Sequence, residues 1–162
     1  MASTETGRVV YMDEPEHVEI REYEVPEPEP GAVVTDVIQA NVCGSELHIF
    51  GGHHPQVTEG ILGHEVLCRI RELGDGVGRD YAGEPIEAGD RIAPAYFLTC
   101  QRCSSCLVGE FNLCQNAYAH WSKSPDEWPH FHGTFATHYY VNPEQYFYRV
   151  PDGVDSGIAA GA

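Results

Sequence analysis

The chain has 162 residues, 42% of them hydrophobic, which suits one folded domain with a core and argues against a disordered segment. Its net charge of −16, from 25 acidic against 9 basic residues with Lys123 the single lysine, leaves no basic patch to neutralise phosphates, so nucleic acid is not expected as a partner. No apolar run approaches a membrane span, and Met1–Gly7 lacks the basic and apolar parts of an export signal, so a cytoplasmic protein without a membrane partner is expected. Asp and Glu are scattered from Glu5 to Asp155, which reads as a solvated acidic surface of the kind adapted to high salt.

In chain order, residues 1–6 read as a loose tail. Val9–Met12 and Val18–Tyr23 read as short strands, the second alternating Val18 and Ile20 with Glu19 and Arg21. The run Pro26-Glu-Pro-Glu-Pro30-Gly31 forbids helix and serves as an extended spacer. Ala32–Ala40 is β-rich, and Ser45 is placed to cap a short helix, Ser45–Phe50, that Gly51-Gly52 ends. Gly63-His64-Glu65 opens a strand in which Val66, Cys68 and Ile70 alternate with Leu67, Arg69 and Arg71. The glycines at 74, 76 and 78 close it as a turn, since their spacing departs from the dinucleotide fingerprint. Asp90–Ala95 is a strand, Trp121–His132 an irregular loop, and Thr134–Val141 and Tyr146–Val150 the last strands. Many short strands with Gly and Pro punctuation predict a mainly β, barrel-like domain.

Four cysteines, Cys100, Cys103, Cys106 and Cys114, follow a C-x₂-C-x₂-C-x₇-C spacing that can close a tetrahedral thiolate cage, the form of a structural zinc site. An iron–sulfur cluster fits less well, because ferredoxin-type runs have a shorter last gap and a proline after the last cysteine. A second constellation joins Cys43-Gly-Ser45-Glu46-Leu-His48 to Gly63-His64-Glu65. Cys43 and His64 offer the mixed thiolate and imidazole set of a catalytic zinc. Glu46 and Glu65 are carboxylates suited to orienting an imidazole or competing for the ion. Ser45 and His48, three residues apart, share a helix face. His53, His54, His120, His130, His132 and His138 read as solvated or packed, with His53-His54 the better placed to line a cleft. Cys68 reads as a packed strand residue. Trp121, Trp128 and Phe131 belong to the core or to that cleft.

In these motifs, their order and their distances, the chain resembles the zinc-containing alcohol dehydrogenases of the medium-chain dehydrogenase/reductase family over about Val9 to Ala162. Gly133-Thr-Phe135-Ala136, Val150-Pro151-Asp152 and Ala159-Ala160 resemble later landmarks of the family's N-terminal catalytic domain. The resemblance implies a GroES-like, partly open β-barrel over 7–150, with a few short helices and a zinc lobe at 96–118. It also implies a connection starting at 151–162, with the Rossmann cofactor domain absent. Cys43, His64 and Glu65 would serve a catalytic zinc, and Cys100, Cys103, Cys106 and Cys114 a structural one. Ser45 and His48 would move the alcohol proton, and hydride would pass to NAD or NADP held by the missing domain, so no cofactor-binding residue is expected here. The implied activity is oxidation of a small alcohol or polyol to an aldehyde or ketone. The alternative is a non-catalytic zinc module that keeps the fold. A separate cofactor-domain chain and a second copy of the chain are the macromolecular partners this leaves open. Two residues depart from the family pattern: Glu46 stands for the usual Asp, and Cys68 for a usual glycine. The chain also ends at Ala162, before the family's usual third ligand of the catalytic zinc.

Overall fold

A computed structural model describes residues 5–55, 57–96, 98–117 and 123–161; the expectations for residues 1–4, His120, Trp121 and Ala162 lie outside them. Antiparallel strands dominate. β1 (Thr6–Glu14) and β2 (His17–Glu24) form a hairpin, followed by β3 (Val33–Ala40), helix α1 (Gly44–Phe50), β4 (Gly60–Ile61) and β5 (Val66–Leu73). After β6 (Arg91–Pro94) come α2 (Ser104–Leu107), a 3₁₀ turn at Phe111–Leu113, β7 (His138–Val141), β8 (Phe147–Arg149) and α3 (Ser156–Ala160). The strands make two open sheets, β2-β1-β4 and β7-β3-β5-β6-β8, which do not close on themselves. Among the described residues no helix is long and apolar enough to cross a membrane.

Strand β3 lies inside the larger sheet, between β7 and β5. Val33 and Val34 point to opposite faces, as successive strand residues must, and each feeds a different core. Val33 packs with Val66, Cys68, Ile70, Ile92 and Phe147, and Val34 with Val9, Ile61, Phe131 and Tyr140. Cys68 is fully buried there, as expected of a packed strand residue.

Several boundaries differ from the sequence reading. Cys43, not Ser45, caps α1, because its sulfur accepts from the Ser45 N–H. The strand expected from Gly63 begins at Val66, which leaves His64 and Glu65 in the preceding loop. Thr134–Thr137 is not part of β7. Its amides bond elsewhere: Thr134 N–H donates to the Gly63 carbonyl, Phe135 to Leu62, and Thr137 to Arg8. That segment is a stitch between β1 and the loop carrying His64. The alternation in β2 holds, with its apolar side outward: Ile20 is 66% exposed, while Arg21 lies over the Tyr11 ring at 4.1 Å and Tyr23 stacks on His130. Helix α3 and the turns of the cysteine lobe carry too little periodicity to be read from sequence.

Buried His138 contributes to the acid sensitivity of the fold. His138 lies edge-on to Phe131, its Nδ1 2.9 Å from Thr137 Oγ1 and its Nε2 3.3 Å from Asp36 and 3.8 Å from Glu5. Burial, helped by the Arg71 guanidinium, lowers its pKa against the opposing pull of Asp36 and Glu5. The unfolded chain therefore binds this proton more readily than the fold does. The contribution is complete above the ordinary value of about 6.5 and is lost as pH falls below it. Urea unfolding should show a loss of stability between about pH 7.5 and 5.5 that is smaller in His138→Asn. Equal pH slopes for the two proteins would contradict this account.

Candidate metal centres

The sheet register brings the two halves of one centre together. Ala40, the last residue of β3, pairs with Val66, the first of β5, and Asn41 N–H donates to the Glu65 carbonyl at 3.1 Å. The chain leaving β3 and the chain entering β5 therefore run side by side, which sets Cys43 near His64. Local chemistry then fixes the side chains. Glu46 closes a capping box at the start of α1, its Oε2 accepting from the Cys43 N–H at 2.9 Å. Its Oε1 lies 2.5 Å from His64 Nδ1, and the carboxylate is buried. Burial works to raise the Glu46 carboxyl, but the bonds from His64 and Cys43 outweigh it and hold the group below the ordinary carboxylate range.

A carboxylate only accepts, so Nδ1 of a neutral His64 carries the proton and Nε2 keeps its lone pair. That Nε2 lies 3.3 Å from Cys43 Sγ, and Ser45 Oγ lies 2.8 Å from the same sulfur. Donor atoms of Cys43, His64 and Glu65 all fall within 4.8 Å of one another. A tetrahedral zinc with one thiolate and one imidazole needs a sulfur–nitrogen separation of about 3.5 Å, so the donor set and its spacing fit that ion.

The second centre is the cysteine lobe. The sulfurs of Cys100, Cys103, Cys106 and Cys114 also lie within 4.8 Å of one another, close to the ~3.8 Å sulfur–sulfur edge of a zinc tetrathiolate. Short turns converge them. Cys103 precedes α2, Cys106 sits within it, and Cys114 ends the 3₁₀ turn. Backbone N–H groups of Cys100 and Asn116 point at Cys114 Sγ, both at 3.4 Å. Hydrogen bonds from the Arg102 backbone and the Asn116 side chain bring the Cys100 thiol down to about 6, whereas burial pushes Cys106 up to about 12. The protons such a cluster retains are those that a divalent ion would displace.

The sequence profile of the alcohol dehydrogenase GroES-like domain matches residues 29–152. The chain belongs to that family. It is 35% identical over 147 residues to 5-exo-hydroxycamphor dehydrogenase of Pseudomonas putida, covering 90% of this chain and 40% of that protein. Among solved structures, an alcohol dehydrogenase of Thermotoga maritima superposes with a TM-score of 0.87 at 28% identity, over 96% of this chain and 44% of that one. Acetophenone reductase from Geotrichum candidum, solved with NAD, gives a TM-score of 0.73 at 27% identity, over 96% of this chain and 43% of that one. The chain thus spans well under half the length of these relatives.

Within this GroES-like domain the remaining candidates divide by position. His48 is exposed on α1 with its ring edge-on to His53, and no hydrogen bond joins it to Ser45 among the described residues. His54 faces its own loop, its Nδ1 accepting from the Val57 N–H at 3.0 Å. Phe131 is core and Trp128 is exposed. Two neighbours of the first centre escaped the sequence reading. Tyr96 presents its ring 5.4 Å from that of His64, and His132 is buried in a cavity wall shared with Glu46 and His64. Neither belongs to a motif; the only cue for Tyr96 is its place between β6 and the first lobe cysteine.

Gly63 is the backbone hinge of the first centre. Its φ is +92°, and a Cβ there would lie 2.4 Å from Thr134 Oγ1 and 2.6 Å from Phe135 Cδ1. Gly63→Ala should lower the unfolding free energy by about 2–4 kcal/mol, from left-handed strain plus overpacking. Denaturant titration checks this, and a loss below about 0.5 kcal/mol would contradict it.

Proposed function

We propose that the chain is the catalytic domain of a zinc-dependent alcohol or polyol dehydrogenase, oxidising an alcohol to an aldehyde or ketone with NAD or NADP held by a cofactor domain outside these residues. The observation that carries the reading is the 3.3 Å approach of Cys43 Sγ and His64 Nε2, with Glu65 beside them, in a chain that holds a separate four-cysteine lobe. In this reading Cys43, His64 and Glu65 hold the catalytic ion, and Cys100, Cys103, Cys106 and Cys114 hold the structural one. Zinc bound at the first centre would supply Lewis acidity toward the substrate oxygen.

The oxidation removes a hydride and a proton from the alcohol. Bound NAD or NADP would supply the hydride acceptor, and the proton falls to residues of this chain. Ser45 takes it, because its hydroxyl sits at the centre, 2.8 Å from Cys43 Sγ. His48, exposed one turn further along α1, passes it through water to solvent. Glu46 stays ionised and holds the His64 ring. The centre would be filled from a cytoplasmic pool, and the acidic surface would suit a salt-rich interior.

The test is alcohol oxidation with NAD or NADP by this chain joined to, or mixed with, its cofactor domain. Ser45→Ala should lower kcat by about 100-fold or more while zinc content is unchanged. Unaltered kcat would remove Ser45 from the proton path, and failure to oxidise any of a broad panel of alcohols would remove the activity.

The surface charge allows a separate check. Raising salt from about 0.1 M to 1 M shortens the screening length from about 10 Å to about 3 Å. With a net charge of −16, the thermal midpoint should rise with KCl over that range and beyond. A flat or falling midpoint would contradict the high-salt reading.

A further inference from the structure

Beside the Glu46–His64 pair lies a small, partly open cavity of about 20 Å³, lined by Glu46, His64, His132 and Gly63 and by Ile49, Val57, Ile61 and Leu62. An apolar cavity of this size would stay dry, but a carboxylate and two imidazoles stand in this wall. A volume of roughly 10–15 Å³ for the water centre is enough for one molecule, provided that it finds two to four polar partners. We infer that one internal water occupies this cavity and ties His132 to the Glu46 carboxylate, making His132 a positioning residue for His64.

The donor and acceptor count supports this. Nε2 of His132 lies 3.2 Å from the Glu127 carbonyl, which only accepts, so Nε2 carries the ring proton. Burial drives the ring's pKa down to about 4, so it is neutral near pH 7 and its Nδ1 is an acceptor. Each carboxylate oxygen of Glu46 already accepts one bond, from His64 and from the Cys43 N–H, and each has a second lone pair. A water has two O–H donors, one for Glu46 and one for His132. Glu46 has a longer and more rotatable arm than an aspartate, and this third tether would keep its Oε1 on His64 Nδ1. Removing such a support behind a metal ligand typically costs 10–100-fold in metal affinity.

The inference rests on the proposed zinc role of Cys43 and His64 only for its effect on affinity. The water itself can be read in the metal-free chain. Water–methyl cross-relaxation by NMR should show a long-lived water at the Val57, Ile49 and Leu62 methyl groups, and absence of those cross-peaks overturns the inference. In the zinc-loaded chain, His132→Phe should erase the cross-peaks and weaken zinc at the Cys43–His64 centre about 10–100-fold, with the cysteine lobe unaffected. His132→Gln keeps a donor for Glu127 and an acceptor for the water, and should recover both readouts to within a few-fold. Equal zinc affinity in the Phe and Gln variants would reduce His132 to a packing residue. Failure of the chain joined to its cofactor domain to hold zinc at Cys43 and His64 would sink the functional reading, and the methyl cross-peaks of the metal-free chain would still decide the water.

Discussion

One buried carboxylate organises the first centre. Glu46 accepts a backbone N–H from its own helix start and an imidazole N–H from a loop 18 positions along the chain. The first bond caps α1, and the second fixes which nitrogen of His64 is bare. A carboxylate with so little solvent contact is costly unless it is fully bonded, and these two bonds compensate it. The same atoms therefore terminate a helix, join two segments and direct a ligand. Cys43 contributes in a similar double way, with its sulfur capping α1 while facing His64.

The sheets make that contact local in space. Pairing of Ala40 with Val66 puts the two ligand-bearing segments at one end of adjacent strands. The Thr134–Thr137 stitch and the positive φ of Gly63 then press the His64 loop against β1. The cysteine lobe follows a different principle. Its four sulfurs come from one stretch of 15 residues held by turns, so it needs only short-range geometry. One centre depends on tertiary register, and the other is nearly self-contained.

That difference governs how much could be read from the sequence. The lobe was legible as a spacing, because its ligands are close in sequence and of one type. Most strands were legible as alternating runs, and their ends were not, because bonds such as Thr134 to Gly63 are set by partners that the local pattern does not contain. Cys43, Ser45, His64 and Glu65 were legible as a constellation. The structure brings them together, with Ser45 Oγ on the Cys43 sulfur, while His48 points to solvent without a bond to Ser45. Tyr96 and His132 were not legible, since a lone aromatic or histidine has no spacing to mark it and reaches the centre only through the fold. The polarity of β2 was also hidden. Its charged residues gain an aromatic face on Tyr11 and a loop carboxylate, Asp126, which outweigh the burial of Ile20.

Through its contact with Nδ1, Glu46 sets the tautomer of the neutral His64 ring before any ion arrives. Long-range ¹H–¹⁵N NMR of the metal-free chain, with His64 assigned, reads this directly. The expected result is the Nδ1–H tautomer for the neutral His64 ring, and its loss in Glu46→Leu. A ring found with the proton on Nε2, or one whose tautomer ignores the loss of Glu46, would contradict it.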